Sequence, residues 1–291
     1  METADVFLTM TFPNAAPATV EAWSGKDRDA ENFPVGSWLI APRLRPHVHA
    51  FYAFARNADD IADSAELTEA EKISRLGIME DVLQGRRTEG SPTAGRLRAS
   101  LAATGVTPEH ARDLLHAFRQ DATKSRYANW AELMDYCRYS AMPVGRYMLD
   151  LHREADHTWP HSDALCAVLQ VLNHLQDCAQ DLATLDRCYL PLETLAAAGA
   201  APEDLLGSAE TPALRVVFAA LLDKCTELNS AAAPLPGLVQ GRRLRMECAV
   251  IVRLAAILTQ RLRRQDPVAT RVKLTGLDGL FGVFAAIRAI A

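Results

Sequence analysis

Two short acidic strings, ADDIAD with Asp59, Asp60 and Asp63, and LQDCAQD with Asp177 and Asp181, each carry carboxylates four residues apart inside an apolar, helix-patterned segment. Residues at that spacing share a helix face, so Asp59 with Asp63, and Asp177 with Asp181, each aim at one point. Carboxylates crowded in this way repel one another unless something cationic lies between them. Oxygen donors suit Mg²⁺, which is commonly held by a few carboxylates together with substrate phosphates. The chemistry implied is capture of a diphosphate.

Acidic pairs at i,i+4 also occur on plain solvated helix faces, so their surroundings decide what they mean. Tyr52, Arg56, Asp59 and Asp63 follow 4-3-4 spacing and put an aromatic, a cation and two carboxylates on one stripe. Gln170, Asn173, Asp177 and Asp181 follow 3-4-4 spacing among Val168, Leu169, Val171, Leu172 and Leu175. A polar stripe on an apolar helix costs free energy unless its groups find partners, so it points to a lined cavity that takes a ligand, an ion or water.

The elements that position these stripes read as helices. Ala and Leu dominate, β-branched runs are short, and no strictly alternating stretch with paired turn signals suggests a sheet. The pattern predicts helices from Pro46 to about Ala62, from Thr68 (TEAE, a capping box) to about Leu83, and from Thr107-Pro108-Glu109 to about Phe118. A turn-rich loop is expected over GRRTEGSPTAG, residues 85–95. Further helices are expected from Trp130 to about Leu151 with a kink at Pro143, and over 162–183, 211–232 and 237–264. The last element, GLDGLFGVFAAIRAI, reads as core packing, with a membrane-facing role as the alternative.

A chain of 291 residues, 49% hydrophobic, has ample material for a core. One domain over 31–291 is expected, after a polar, irregular lead-in at 1–30. A net charge of −5 argues against nucleic acid as the main partner. The six cysteines show no CxxC pair and read as reduced, packed thiols, as in a cytosolic protein. No signal-peptide pattern and no apolar run of roughly 18 residues is present, which points to a cytoplasmic protein that is soluble or at most peripheral to the inner membrane.

Taken together, ENFPVGSWL (31–39), YAFARNADDIAD (52–63), FRQDATKSRY (118–127), YCRYSAMPVGR (136–146) and NHLQDCAQDL (173–182) resemble the squalene and phytoene synthase family. The branch they resemble most is that of the bacterial hydroxysqualene synthases of hopanoid biosynthesis. The resemblance runs from about Glu31 to Asp181, continues through Tyr189-Leu190-Pro191, and weakens toward Lys273. It implies an all-α isoprenoid synthase helical bundle with a central cavity, in which two aspartate-rich motifs face each other across Mg²⁺ and a bound diphosphate. By position, Asp59, Asp63, Asp177 and Asp181 match the metal and catalytic aspartates, with Tyr52 and Arg56 at the diphosphate end. Asp60, Tyr136, Gln170, Asn173, Arg187, Tyr189 and Arg271 match substrate-binding positions. Phe51, Phe54, Tyr136, Ala141 and the apolar face of 164–175 are expected to line the hydrocarbon cavity.

For this branch the implied substrate is presqualene diphosphate, ionised and captured by one water without a nicotinamide. A functional coupling to a presqualene diphosphate synthase is implied with it. Gln176 stands where many head-to-head synthases carry arginine, which favours this branch. Met142, Leu182 and Asp186 depart from the branch pattern. The alternative within the family is a condensing enzyme that makes presqualene diphosphate, squalene or phytoene. From other classes come a carboxylate-bridged metal protein using Glu154 and His157, the one ExxH, and a non-catalytic scaffold with solvated acidic pairs. His174 reads as a packing histidine. Arg119, Lys124 and Arg126 read either as a solvated face or as a rim of the site.

Overall fold

Short capping signals mark several of the helix ends. The computed structural model describes residues 19–21 and 39–289, and among them there are α-helices, two short 3₁₀ turns and no β-strand. The helices are α1 Arg45–Asp63, α2 Glu69–Leu83, α3 Pro92–Thr104, α4 Glu109–Asp121, α5 Trp130–Ser140 and α6 Met142–Leu151. They continue with α7 Trp159–Leu185, α8 Leu192–Ala198, α9 Pro212–Ala232, the single turn α10 Leu235–Leu238, α11 Arg242–Leu262 and α12 Gly276–Arg288. The capping box at Thr68 and Glu71 forms as expected, and Asn129 and Thr211 cap α5 and α9. All of the motif ENFPVGSWL but Leu39, and most of the lead-in, fall outside the described residues. Thr19–Glu21 are docked: Val20 N–H donates to the Gly90 carbonyl at 2.8 Å, and the Glu21 carboxylate accepts from Ser91 and Thr93.

Three expectations are corrected. Residues 92–95, read as loop, are the first turn of α3, because Ser91 caps it and Pro92 can open a helix at no hydrogen-bond cost. The Trp130–Leu151 helix is two helices, broken at Ala141, since Pro143 lacks the N–H needed to continue the ladder. And α12 is core packing only in part. It packs on α11 with Asp278, Gly282 and Ala286 buried, while among its described side chains Leu277, Phe281, Phe284 and Ile287 are each more than half exposed.

Two buried clusters make the core. One joins residues of α1 to α4 with Tyr147 and Leu151, and the other gathers α5 to α11 around α7. Helix α7 is the central strut, packed on α5, α6, α9 and α11. It meets α6 closely at Gly145, where an added Cβ would stand 2.4 Å from Ser162 Oγ and 2.6 Å from Cys166 Sγ. All six cysteines are free and all but the half-buried Cys166 are buried, as expected of packed thiols.

Candidate active site

Helices α1 and α7 carry the two acidic strings, and both line a polar pocket of about 270 Å³. Asp59 and Asp63 come from α1, and Gln170, His174 and Asp181 from α7. Tyr136 and Ser140 of α5, Asp121 at the end of α4, and Arg187 and Tyr189 from the segment after α7 complete the wall. The chain reaches back to the pocket because Asp186 adopts a left-handed conformation (φ 51°) at the end of α7, reversing its direction. Arg126 holds that turn by pairing with the Asp186 carboxylate at 2.6 Å.

Arg187 is the hub of the wall. Its guanidinium donates to Asp63 Oδ1 at 2.6 Å, to the Asp121 carbonyl at 2.9 Å and to the Ala62 carbonyl at 3.2 Å. Asp121 accepts from Tyr136 at 2.9 Å and from Tyr189 at 3.3 Å. Burial pushes the Asp121 carboxyl up to about 6, against the pull of Arg187 and the Tyr136 hydroxyl. Asp59 is pushed up to about 8, first by burial and then by the negative field of Asp63, with Arg56 opposing. Its side chain nevertheless keeps 35% exposure where it lines the pocket, so water or a cation entering there offsets part of that shift. His174 stacks on Tyr189 with ring centroids 3.6 Å apart and shares a 3.2 Å contact with Gln170. Burial, and secondarily Arg187, lower it to about 3, so it lines the pocket as a neutral ring.

Asp59, Asp63, Asp181, Tyr136, Gln170, Arg187 and Tyr189 are thus brought together, and the other expected site residues stand around them. Arg56 pairs with Asp59 at 3.2 Å and with the buried Asp60 at 3.0 Å, so it and Asp60 brace the first motif from behind. Asn173 is half-buried on α7, between the pocket residues and Asp177. Asp177 is engaged by Arg271. The buried Gln176 ties the returning segment to α7 through the Val272 carbonyl. Tyr52 lies farther along α1, at a second cavity.

That second cavity, about 300 Å³, continues along the same two helices. Tyr52 and Ala55 precede Asp59 by one to two turns on α1, and Cys166 and Leu169 precede Gln170 and His174 on α7. Its walls are almost entirely apolar, with Phe51, Met148 and Leu165 among them. Phe54, Tyr136 and Ala141, expected there, are not among its lining residues; Phe54 is fully buried in the core, and Tyr136 belongs to the polar pocket. A third, outer space of about 490 Å³ shares Asp63, Asp121 and Arg187 with the polar pocket and adds Lys72 and Lys124.

Sequence reasoning overlooked Asp121, Lys72 and the pocket-facing role of His174. Asp121 had a signal: it continues the Leu114, Ala117, Phe118 face of α4, and an acid on an apolar face is anomalous. Lys72 had none, being an ordinary charge in a helix's first turn. Of the three basic residues in FRQDATKSRY, Arg119 pairs with Glu80 at 2.7 Å and Arg126 with Asp186, and only Lys124 reaches the outer space. Glu154 accepts from the Gln240 and Gly241 amides at 2.7 and 2.8 Å, a loop-fastening role in place of a metal-bridging one.

A divalent metal fits the polar pocket in one specific sense. The aspartate oxygens there are hard donors, and the buried Ser140 Oγ on its wall has no hydrogen-bond partner among the described residues. No group of three or more His, Cys, Asp or Glu among the described residues stands close enough to cage an ion by itself. That combination suits Mg²⁺, which keeps water and substrate phosphate in its shell.

Comparison with known proteins adds the family. The sequence model described as squalene/phytoene synthase matches residues 27–278. The chain belongs to this family. Among its curated relatives are the hydroxysqualene synthase of Rhodopseudomonas palustris, 47% identical over 92% of this chain and 91% of that one, and that of Zymomonas mobilis, 44% identical over 90% and 89%. Among solved structures, the squalene synthase HpnC from Alicyclobacillus acidocaldarius superposes with a TM-score of 0.73 at 32% identity, covering 84% of this chain and 92% of that one. A dehydrosqualene synthase superposes with a TM-score of 0.74 at 20% identity, over 90% and 92%, and speaks for the fold alone. The all-α isoprenoid synthase fold is therefore shared, and the protein is a terpenoid synthase. Among the described residues no helix is long and apolar enough to cross a membrane.

Proposed function

We propose that this family member converts presqualene diphosphate and water to hydroxysqualene and diphosphate. The observation that carries the reading is the succession of an apolar cavity and a polar pocket along α1 and α7, which gives one end to a hydrocarbon and the other to a diphosphate. The identity of 44–47% to hydroxysqualene synthases over about nine-tenths of the chain supports the branch. Gln176, spent on the Val272 carbonyl, supports it as well.

In this reading Asp59, Asp63, Asp177 and Asp181 hold Mg²⁺. When bound, the metal neutralises charge that builds on the leaving diphosphate. Arg187 and Lys72 stand at the mouth as fixed positive charge for the same oxygens, worth most where water is excluded. His174 stacked on Tyr189, with Tyr136 tilted against both, forms an aromatic wall that holds the pocket's shape. Phe51, Leu165 and Leu169 enclose the carbocation and keep out stray nucleophiles. Because the substrate is already a head-to-head C30 diphosphate, a condensing presqualene diphosphate synthase must supply it. Nucleic acid has no place in this chemistry.

We assign the outward face of α12 to a peripheral contact with an anionic lipid surface on the cytoplasmic side. Its four exposed apolar side chains are flanked by Arg253, 5.8 Å from the Phe281 ring, and by the exposed Lys273 and Arg288. Apolar insertion ringed by cations is the chemistry of an interfacial helix.

The test is product analysis with presqualene diphosphate, Mg²⁺ and ¹⁸O-labelled water, without a nicotinamide. Labelled hydroxysqualene is expected. Squalene formed only with reduced nicotinamide, or efficient presqualene diphosphate synthesis from farnesyl diphosphate alone, would overturn the branch assignment.

A further inference from the structure

Among the described residues of the apolar cavity's wall, one is charged, Glu247. It lies on α11, a helix that contributes none of the aspartates, and shares a face with Leu244, Cys248 and Ile251, which line the same cavity at helical spacing. It is 6% exposed. A carboxylate is costly to bury, and this one is the group of useful basicity that the described residues bring to the wall of the cavity that shelters the carbocation. The other polar side chains among the described residues of the wall are the Ser162 and Tyr52 hydroxyls and the Cys166 and Cys248 thiols. Burial pushes both thiols up to about 12, so neither serves as a base.

We propose that Glu247 positions the capturing water and accepts its proton. The inference rests on the reading of hydroxysqualene formation given above and names the residue that makes the product an alcohol. A carboxylate accepts hydrogen bonds and donates none. A water donating to Glu247 therefore turns a lone pair away from it, toward the cavity and the cation. The water oxygen gives that pair to the cationic carbon and the C–O bond forms. The O–H bond directed at Glu247 breaks, its electrons stay on oxygen, and the proton passes to the carboxylate and later to solvent. Charge balances: a cation and a carboxylate become a neutral alcohol and a neutral acid. Without this acceptor the cation loses a proton from carbon and ends as an alkene.

The experiment gives presqualene diphosphate and Mg²⁺ to the wild type, Glu247→Gln and Glu247→Leu in ¹⁸O-labelled water. The readout is alcohol formed per diphosphate released, which a general loss of fold does not alter. Glu247→Leu is expected to lower that ratio about 10-fold or more, with alkenes in place of the alcohol, and Glu247→Gln to lower it less, because the amide still orients water. If Glu247→Leu fails to fold by circular dichroism, the nearly isosteric Glu247→Gln decides. An unchanged ratio in the folded variants overturns the proposal. A wild type that releases diphosphate without making hydroxysqualene overturns the functional reading instead, and takes this inference with it.

Discussion

Arg271 closes a two-pronged ion pair on Asp177, Nε to Oδ1 at 2.5 Å and Nη2 to Oδ2 at 2.8 Å, joining the segment after α11 to the second acidic string. Both side chains keep partial exposure, 35% and 24%, so solvent screens the pair and competes for each partner. It is cheap to exchange, so an arriving diphosphate can take Arg271 while a metal takes Asp177. Arg271→Gln should therefore shift the melting temperature little and lower kcat/KM clearly. A large loss of stability with normal kinetics would instead make the pair a structural tie.

Loss of a charge that stabilises the leaving group costs far more than loss of a surface pair. Asp59→Asn and Asp177→Asn are each expected to lower the rate about 10²-fold or more with the fold retained, and chelation of Mg²⁺ should abolish turnover. Full turnover in excess chelator would remove the metal from the reading.

Arg187 has the opposite balance. Its side chain is 8% exposed and answers Asp63 and two carbonyls at once. Removing it leaves the Ala62 and Asp121 carbonyls without their donor and Asp63, 27% exposed, without its ion pair, at a cost of about 1–3 kcal/mol. Arg187→Ala should thus lower both stability and activity, and a denaturant titration measures the former. Arg187→Lys should recover part of the stability, because lysine restores the charge without the planar fork.

The metal-free protein should lose stability as pH rises from about 6.5 to 8. Asp59, held near 8 in the fold against about 3.9 in the unfolded chain, binds more protons folded than unfolded across that interval, so stability falls with pH. His174, held near 3, has the opposite slope below about 6.5; Asp121, pushed up to about 6, adds a slope of the same sign mainly below about 7, and the thiols, all pushed up by burial, add one that grows toward 8, so the share due to Asp59 is the part that its substitution removes. Melting curves at several pH values should show the fall, and Asp59→Asn should flatten it. Mg²⁺ with inorganic diphosphate should reverse it in the wild type.

Much of this site was legible in the sequence because helical spacing is a local rule. Asp59, Asp63, Gln170 and Asp181 share a pocket for the reason their intervals predicted. What stayed hidden depends on long-range closure. That Arg187 meets Asp63 follows from a left-handed residue at Asp186, and that Asp121 anchors two tyrosines follows from how α4 and α5 pack. Nor does the pattern of α12 reveal its orientation. An apolar helix with small residues on one side can bury either face, and here Asp278, paired with Arg261 at 2.8 Å, fixes the small face inward.

That orientation leads to the last prediction. Leu277, Phe281, Phe284 and Ile287, each more than half exposed, gain little from the fold, so replacing them should change stability little. If they insert into a lipid surface, Phe281→Ser with Phe284→Ser forfeits two partly buried rings, roughly 2 kcal/mol together, or about 30-fold in vesicle affinity. The flanking Arg253, Lys273 and Arg288 make binding stronger on vesicles with anionic headgroups and weaker at high salt. Flotation of the wild type with phosphatidylglycerol-containing vesicles, its decrease in the double variant, and an unchanged melting temperature are the expected results. Equal flotation of both proteins, or none with either, would remove the lipid surface from the account of α12.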